Sequence, residues 1–246
     1  MTTQNPASTT LHASTLSAEF SDFEEAARYA LLQRLAPALQ HHLMGKFQSM
    51  GMIASMINRR LQSADPDLAV IREDAASLSS VSRTAVNSIM NIMTWIEPKT
   101  ASTVKFDAGV SECLGLLSTE FRFKGFVIVN KVPEIDVELS SKALRSVLSA
   151  TLIALSDLSK APAKLLIRAH AVADRVELSI DLQPTEGDTR HGHMTDYRPL
   201  KWRDAEILAI AESVKLTRDN AGVQLTFSRA DAATGLPGDP VSRARR

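Results

Sequence analysis

The stretch Gln40-His41-His42-Leu43-Met44-Gly45-Lys46-Phe47-Gln48 lies inside a long helical pattern, and its phase decides how the N-terminal half folds. Leu39, Leu43, Phe47, Met50, Ala54, Ile57 and Leu61 recur at steps of four and three, which draws one apolar stripe along a helix. At about 100° per residue, His41 points roughly 165° away from the centre of that stripe and His42 falls near its flank. The phase predicts that the His41 imidazole faces water. Met44, Gln48, Met52 and Ser55 share its face, and methionines beside Gly45 form an adaptable apolar patch on which a partner helix can pack. Gly45 costs a helix about 1 kcal/mol relative to alanine, which a close approach by a partner loop would explain.

An exposed imidazole on a rigid helix, with no acid or cysteine beside it, suits few chemistries. One is accepting a phosphoryl group, because a neutral ring nitrogen is nucleophilic at cellular pH without an added base. The two histidines alone leave a second reading open, that of a solvated and idle pair.

Working outward, Ser21-Asp22-Phe23-Glu24 has the capping-box spacing, so a helix is expected from Ser21 to about Gln62, kinked or broken at Pro37. Asp65-Pro66 predicts an N-cap and first helical position. The following helix carries Ile71, Ala75, Leu78, Ala85, Ile89, Ile92 and Ile96 on one face and ends at Pro98. Two such helices expose more apolar stripe than they cover between themselves, so a homodimer that completes a four-helix bundle is expected. The alternative is that the stripe packs on the rest of the chain.

After Pro98 the periodicity changes. A short strand at Val104-Phe106, a helix from Asp107 to Lys124, a strand at Phe126-Val129 and a helix from Ser140 to Ser159 are expected. A hairpin around Asp174-Arg175, a polar stretch from Gln183 to Pro199, a helix through Ala205 to Ala211 and a last hairpin through Asp219-Gly222 follow. The fold class is therefore α+β. A helical hairpin forming a dimeric four-helix bundle (residues 18–98) precedes an α/β sandwich with helices on one face of a mixed sheet (residues 99–229). Residues 1–17 and 230–246, rich in Ser, Thr, Gly and Pro, are expected to be disordered.

Lys+Arg and Asp+Glu balance at 28 each, so there is no basic field of the kind that neutralises nucleic-acid phosphates. No apolar run reaches membrane-span length and the N-terminus lacks a secretion signal, which predicts a cytoplasmic protein without membrane contact. Cys113 is the one cysteine, which excludes an internal disulfide and a multi-cysteine metal cage, and its apolar surroundings predict burial. His191 and His193 read as loop residues.

The hairpin and the strand order that follows it resemble the two-domain core of bacterial sensor histidine kinases over about residues 30 to 229. His41-His42-Leu43-Met44-Gly45-Lys46-Phe47-Gln48 is similar to the H-D-x-M-N-K-L-Q form of the sporulation-phosphotransferase and citrate-sensor branch, and His41 matches the phosphorylated histidine. Where that family has an acid and an asparagine, this chain has His42 and Gly45. Ala150 and Ala154 stand where the resemblance expects magnesium-binding asparagines, and alanine offers no oxygen ligand. Leu182 takes the inward place of the adenine-recognising carboxylate while Asp181 points to the other face, and only Gly187 and Gly192 stand in the lid region. Without closely approaching backbone amides a triphosphate has no cradle.

The resemblance thus implies a phosphorelay histidine phosphotransferase with a degenerate ATPase domain, binding no nucleotide, cofactor or metal of its own. His41 would take the phosphoryl group from a receiver-domain aspartate, the magnesium residing on the receiver, and pass it to a second receiver. The receivers belong to response regulators or hybrid kinases, and His42, Met44, Gly45, Gln48, Met52 and Ser55 would form the docking face. The competing expectations are a non-catalytic dimeric pseudokinase that sequesters a response regulator or kinase, and a kinase with a diverged ATP site.

Overall fold

A computed structural model describes residues 6–96, 102–159, 161–185, 197–219 and 222–230, with side chains from residue 18 onward. Helices α1 (Pro6–Leu61) and α2 (Leu68–Ile96) form the hairpin. They are followed by β1 (Thr103–Lys105), α3 (Phe106–Phe123), β2 (Val127–Asn130), β3 (Glu138–Ser140) and α4 (Ser141–Leu158). Next come β4 (Ala163–Val172), β5 (Arg175–Pro184), α5 (Trp202–Ala211), β6 (Lys215–Arg218) and β7 (Gly222–Ser228). The architecture is α+β, a helical N-terminal region with a mixed-sheet domain.

Two expectations about α1 are corrected. It begins at Pro6, upstream of Ser21 and inside the stretch expected to be disordered. Proline suits a first helical position, and extending an already nucleated helix through Ala, Ser and Thr costs little per residue. It also runs through Pro37 as a single helix, so of the two expected outcomes there, a kink or a break, the break is ruled out. Pro37 removes one hydrogen bond, but Leu35, Ala38 and Leu39 on either side are buried, and that packing holds the helix across the gap. The cap of α2 is likewise not Asp65 but Asp67, whose Oδ1 accepts from the amides of Ala69 (2.9 Å) and Val70 (3.2 Å).

The main sheet has the order β2-β4-β5-β7-β6, with β2 parallel to β4 and the other pairs antiparallel, while β1 and β3 pair separately. β3 was not expected from the sequence. The β4–β5 turn is Ala173-Asp174, with Ala173 at φ +50° and Arg175 already paired with Val172, one residue earlier than Asp174-Arg175.

Alternation gives the sheet one apolar face. Val176, Leu178 and Ile180 of β5 and Val223, Leu225 and Phe227 of β7 are buried, while the residues between them are more open. The helices pack on that face, and α4 is the central one, buried at every residue from Val147 to Ser156.

What encloses α4 from outside is α1. Ala27, Ala30, Leu31, Leu35 and Leu39 belong to the same core cluster as α3, α4 and the sheet. The N-terminal half of α1 therefore packs on the α/β layer, and only its C-terminal half pairs with α2. The apolar stripe divides accordingly. Leu43, Met50 and Ile57 are half-buried, whereas Phe47 (45%) and Leu61 (53%) are exposed. No described helix is long and apolar enough to cross a membrane.

Candidate functional site

His41 is exposed on α1, as are Met44 (46%), Gly45, Gln48, Met52 (62%) and Ser55. By helix phase Gly45, Gln48, Met52 and Ser55 lie within about 40° of His41, and Met44 within about 60°, so the structure brings these residues onto one open face. The Ser55 hydroxyl donates to the Gly51 carbonyl at 2.8 Å, and a Cβ at Gly45 would meet nothing within 4 Å. That face is open to a large partner.

His42 is exposed as well. Its phase turns it about 100° from His41, toward α2. It borders two cavities, one of about 350 Å³ within the hairpin and one of about 340 Å³ between the hairpin and α3. Both imidazoles are thus exposed, His41 on the face of Met44 and Gln48 and His42 at the edge of the two cavities.

Charge around the pair is one-sided. No Asp or Glu occurs from Ala26 to Ala64 or from Ala75 to Ile96, the two segments that make the hairpin walls. Among the cations there, Arg34 pairs with Asp157 and Glu120, Arg60 with Asp74, and Arg28 with Glu24 and Glu212. A phosphoryl group brought to this face meets no carboxylate from the hairpin walls to repel it.

Where the resemblance expects magnesium-binding asparagines on α4, this chain has packed alanines. Ala150 and Ala154 are completely buried. Ser146, Ala150 and Asp157 are four and seven residues apart and share a helix face. Ser146 borders a groove with Leu31 and Leu35 of α1, and Asp157 accepts from Arg34 at 2.5 and 3.1 Å.

Arg34, completely buried, also donates to Glu120 of α3 at 2.8 Å. Lys124 joins Glu120 at 3.0 Å and Asp157 at 2.8 Å, and the Leu200 amide donates to Asp157 at 2.8 Å. Burial pushes the Asp157 carboxyl up, but the hydrogen bonds from Arg34 and Lys124, with their charges, outweigh it and hold the carboxyl below its ordinary range.

Sequence reasoning missed this cluster, although it left a trace. Arg34 stands at helical spacing among Ala27, Ala30, Leu31 and Ala38 in an otherwise buried face, where an unpaired cation would be very costly.

Leu182 packs against the core while Asp181 pairs with Arg168 on the open side of the sheet, so the alternation expected here is present in β5. Cys113 is completely buried, and burial pushes its thiol up to about 12. Among the described residues no group of three or more His, Cys, Asp or Glu is placed to hold a metal. Gly187, His191, Gly192 and His193 lie outside the described residues, as do Pro98 and residues 231–246.

No protein-family model matches the chain, and no curated protein matches it. Among solved structures it is similar to a histidine kinase from Burkholderia phymatum, at 12% identity and a TM-score of 0.42, covering 77% of this chain and 98% of that one. It is also similar to the histidine kinase AdeS of Acinetobacter baumannii, at 16% identity and a TM-score of 0.41, covering 73% and 96%. A structure described as a bacterial phosphotransferase aligns at 10% identity and a TM-score of 0.36, covering 80% and 94%. At these scores none of the three assigns an activity to this chain.

Proposed function

We propose that this protein is a histidine phosphotransferase of a phosphorelay, with His41 as phosphoryl acceptor and donor. The observation that carries the reading is the His41 imidazole exposed on a helix face bordered by Met44, Gly45, Gln48 and Met52, between hairpin walls without a carboxylate. That face is broad enough for a folded receiver domain, and His42, which is also exposed, is the control for which imidazole is used.

In the step proposed, a neutral ring nitrogen of His41 attacks the phosphorus of a receiver aspartyl phosphate in line. The N–P bond forms as the acyl phosphate P–O bond breaks, and the electron pair leaves with the aspartate carboxylate. The reverse step on a second receiver returns the imidazole. The helix supplies position, and the receiver supplies the magnesium that offsets charge on the transferring group.

Transfer from ATP is not part of this reading. Two features support leaving it out. Ala150 and Ala154 have neither oxygen ligands nor exposed surface, and the side of α4 that would face a nucleotide is packed against α1 through Arg34. A homodimer is part of the reading. Phe47 and Leu61 of α1, with Leu68, Val86, Met90 and Met93 of α2, are large, apolar and exposed, and a second hairpin would cover them.

The second reading, a dimeric pseudokinase that sequesters a regulator or kinase, uses the same open face but not the imidazole. Incubation with a panel of phosphorylated receiver domains separates the two. Acid-labile label should appear on the wild-type chain and on His42→Ala, and not on His41→Ala. Receiver binding without label in any variant favours sequestration, and label taken directly from ATP defeats both readings.

A further inference from the structure

The cleft at His42 adjoins the docking face through Gly45, which borders both, but its other lining residues take no part in the transfer step and its chemistry is distinct. Within the hairpin the cavity is bordered by His42, Lys46 and Ser49 of α1 and by Val81 and Thr84 of α2. Lys46 is half-buried and makes no ion pair among the described residues. His42 and Lys46 are one turn apart on the same side of α1, so two cation-forming groups converge where neither helix wall carries a carboxylate. The Lys46 stem is partly covered and its ammonium has no counter-charge among the described residues, so it is free to take an anion at the cavity.

Ser49 and Thr84 donate their hydroxyls to carbonyls one turn back, at 2.9 and 3.0 Å. Turning either toward an anion sacrifices only a weak bond, since those carbonyls retain helical partners.

The second cavity meets the first at His42 and has a different lining. Leu39, Ile92, Trp95 and Leu116 give it an apolar wall, Ser88, Asn91 and Ser111 are its neutral polar groups, and its one carboxylate, Glu112, is already paired with Arg145. Trp95 is held in place by a 3.0 Å bond from Nε1 to Glu112 and by the Arg145 guanidinium at 5.3 Å from its ring. A cationic end joined to a fixed aromatic and aliphatic wall, each in the size range of small-molecule sites, suits an organic molecule with one anionic end.

We propose that this cleft binds a small aromatic phosphomonoester. Lys46 and His42 hold the phosphoryl oxygens, and Ile92, Leu116 and Trp95 receive the ring. The site is independent of His41.

Phenyl phosphate, inorganic phosphate and phenol are titrated into the full-length protein, followed by amide chemical shifts and calorimetry. Phenyl phosphate should bind saturably and perturb residues of both cavities, with inorganic phosphate weaker and phenol not binding. Lys46→Met should weaken phenyl phosphate at least tenfold, Thr84→Val should weaken it less, and His41→Ala should leave it unchanged. Absence of saturable binding, or equal affinity in Lys46→Met, overturns the proposal. So does a Lys46→Met variant that loses only receiver transfer, because Lys46 then serves the protein partner. Loss of transfer in His41→Ala with phenyl phosphate binding intact keeps the two functions apart.

Discussion

Replacing Arg34 by methionine removes a residue that ties α1 to both α3 and α4 through buried charge. The cluster holds two cations and two carboxylates, with Arg34, Glu120 and Asp157 side chains at 0, 3 and 1% exposure. Without the guanidinium, Glu120 and Asp157 share Lys124 alone and one negative charge is left uncompensated inside the protein. Removing one partner of a buried ion pair costs about 3–5 kcal/mol. Glu120→Leu should cost a similar amount with the opposite surplus charge.

The double variant Arg34→Met/Glu120→Leu is the sharper test. It leaves Lys124 and Asp157 as a balanced pair at 2.8 Å, so its cost should fall short of the sum of the singles by about 1–3 kcal/mol. Urea unfolding followed by circular dichroism and by tryptophan fluorescence gives all three values. Both probes should move together, because the cluster joins the hairpin to the α/β layer. An Arg34→Met cost below about 1 kcal/mol, the worth of an exposed pair, or strict additivity of the two singles, refutes the reasoning.

Three further expectations follow from particular residues. Asp157 is held below its ordinary value in the folded state, so its stabilisation is present above the unfolded carboxylate range, near about pH 4, and is lost as pH falls through the folded value. Asp157→Asn should therefore be less stable than wild type at pH 7, by a margin that narrows in acid; a pH-independent difference in urea midpoints contradicts this. Gly45→Ala should raise helix stability by roughly 0.5–1 kcal/mol, since the new methyl meets nothing, while slowing receiver transfer. Gly51→Ala, about 80° away from His41, should give the same gain with transfer unchanged, and an unaltered transfer rate in Gly45→Ala removes the close-approach explanation for that glycine. Cys113, with its thiol at about 12, should resist iodoacetamide at pH 8 until the chain is unfolded; prompt labelling of the native protein means that the site opens.

Much of the C-terminal half was legible because its elements carry local signals. The β5 and β7 alternation, the α3 and α4 stripes and the Ala205–Ala211 helix are each decided by period alone, and the observed bounds fall within a few residues of the expected ones. The strand β3 has only three residues and exists by pairing with β1, a long-range contact that no local pattern encodes. The continuity of α1 across Pro37 has the same origin. Local propensity favours a break there, and tertiary packing of Leu35 to Leu39 overrides it.

At the candidate site, the exposure of His41 followed from helix phase because the stripe is long. The division of that stripe did not, since one seam against α2 and one open seam sum to the single broad stripe seen in the sequence. His42 was placed with the docking residues. Its cavities depend on where α2 and α3 cross α1, which adjacent positions in a sequence cannot report.

The central claim is that the phosphoryl group resides on His41. Phosphorylated receiver is mixed with the protein, and the product is analysed under alkaline conditions by phosphorus NMR and by peptide mass mapping. A phosphoramidate resonance and a phosphorylated residue at His41, absent from His41→Ala and retained in His42→Ala, are the predicted results. A phosphorylated His42, or a receiver that keeps its phosphoryl group while bound to the wild-type chain, contradicts the account.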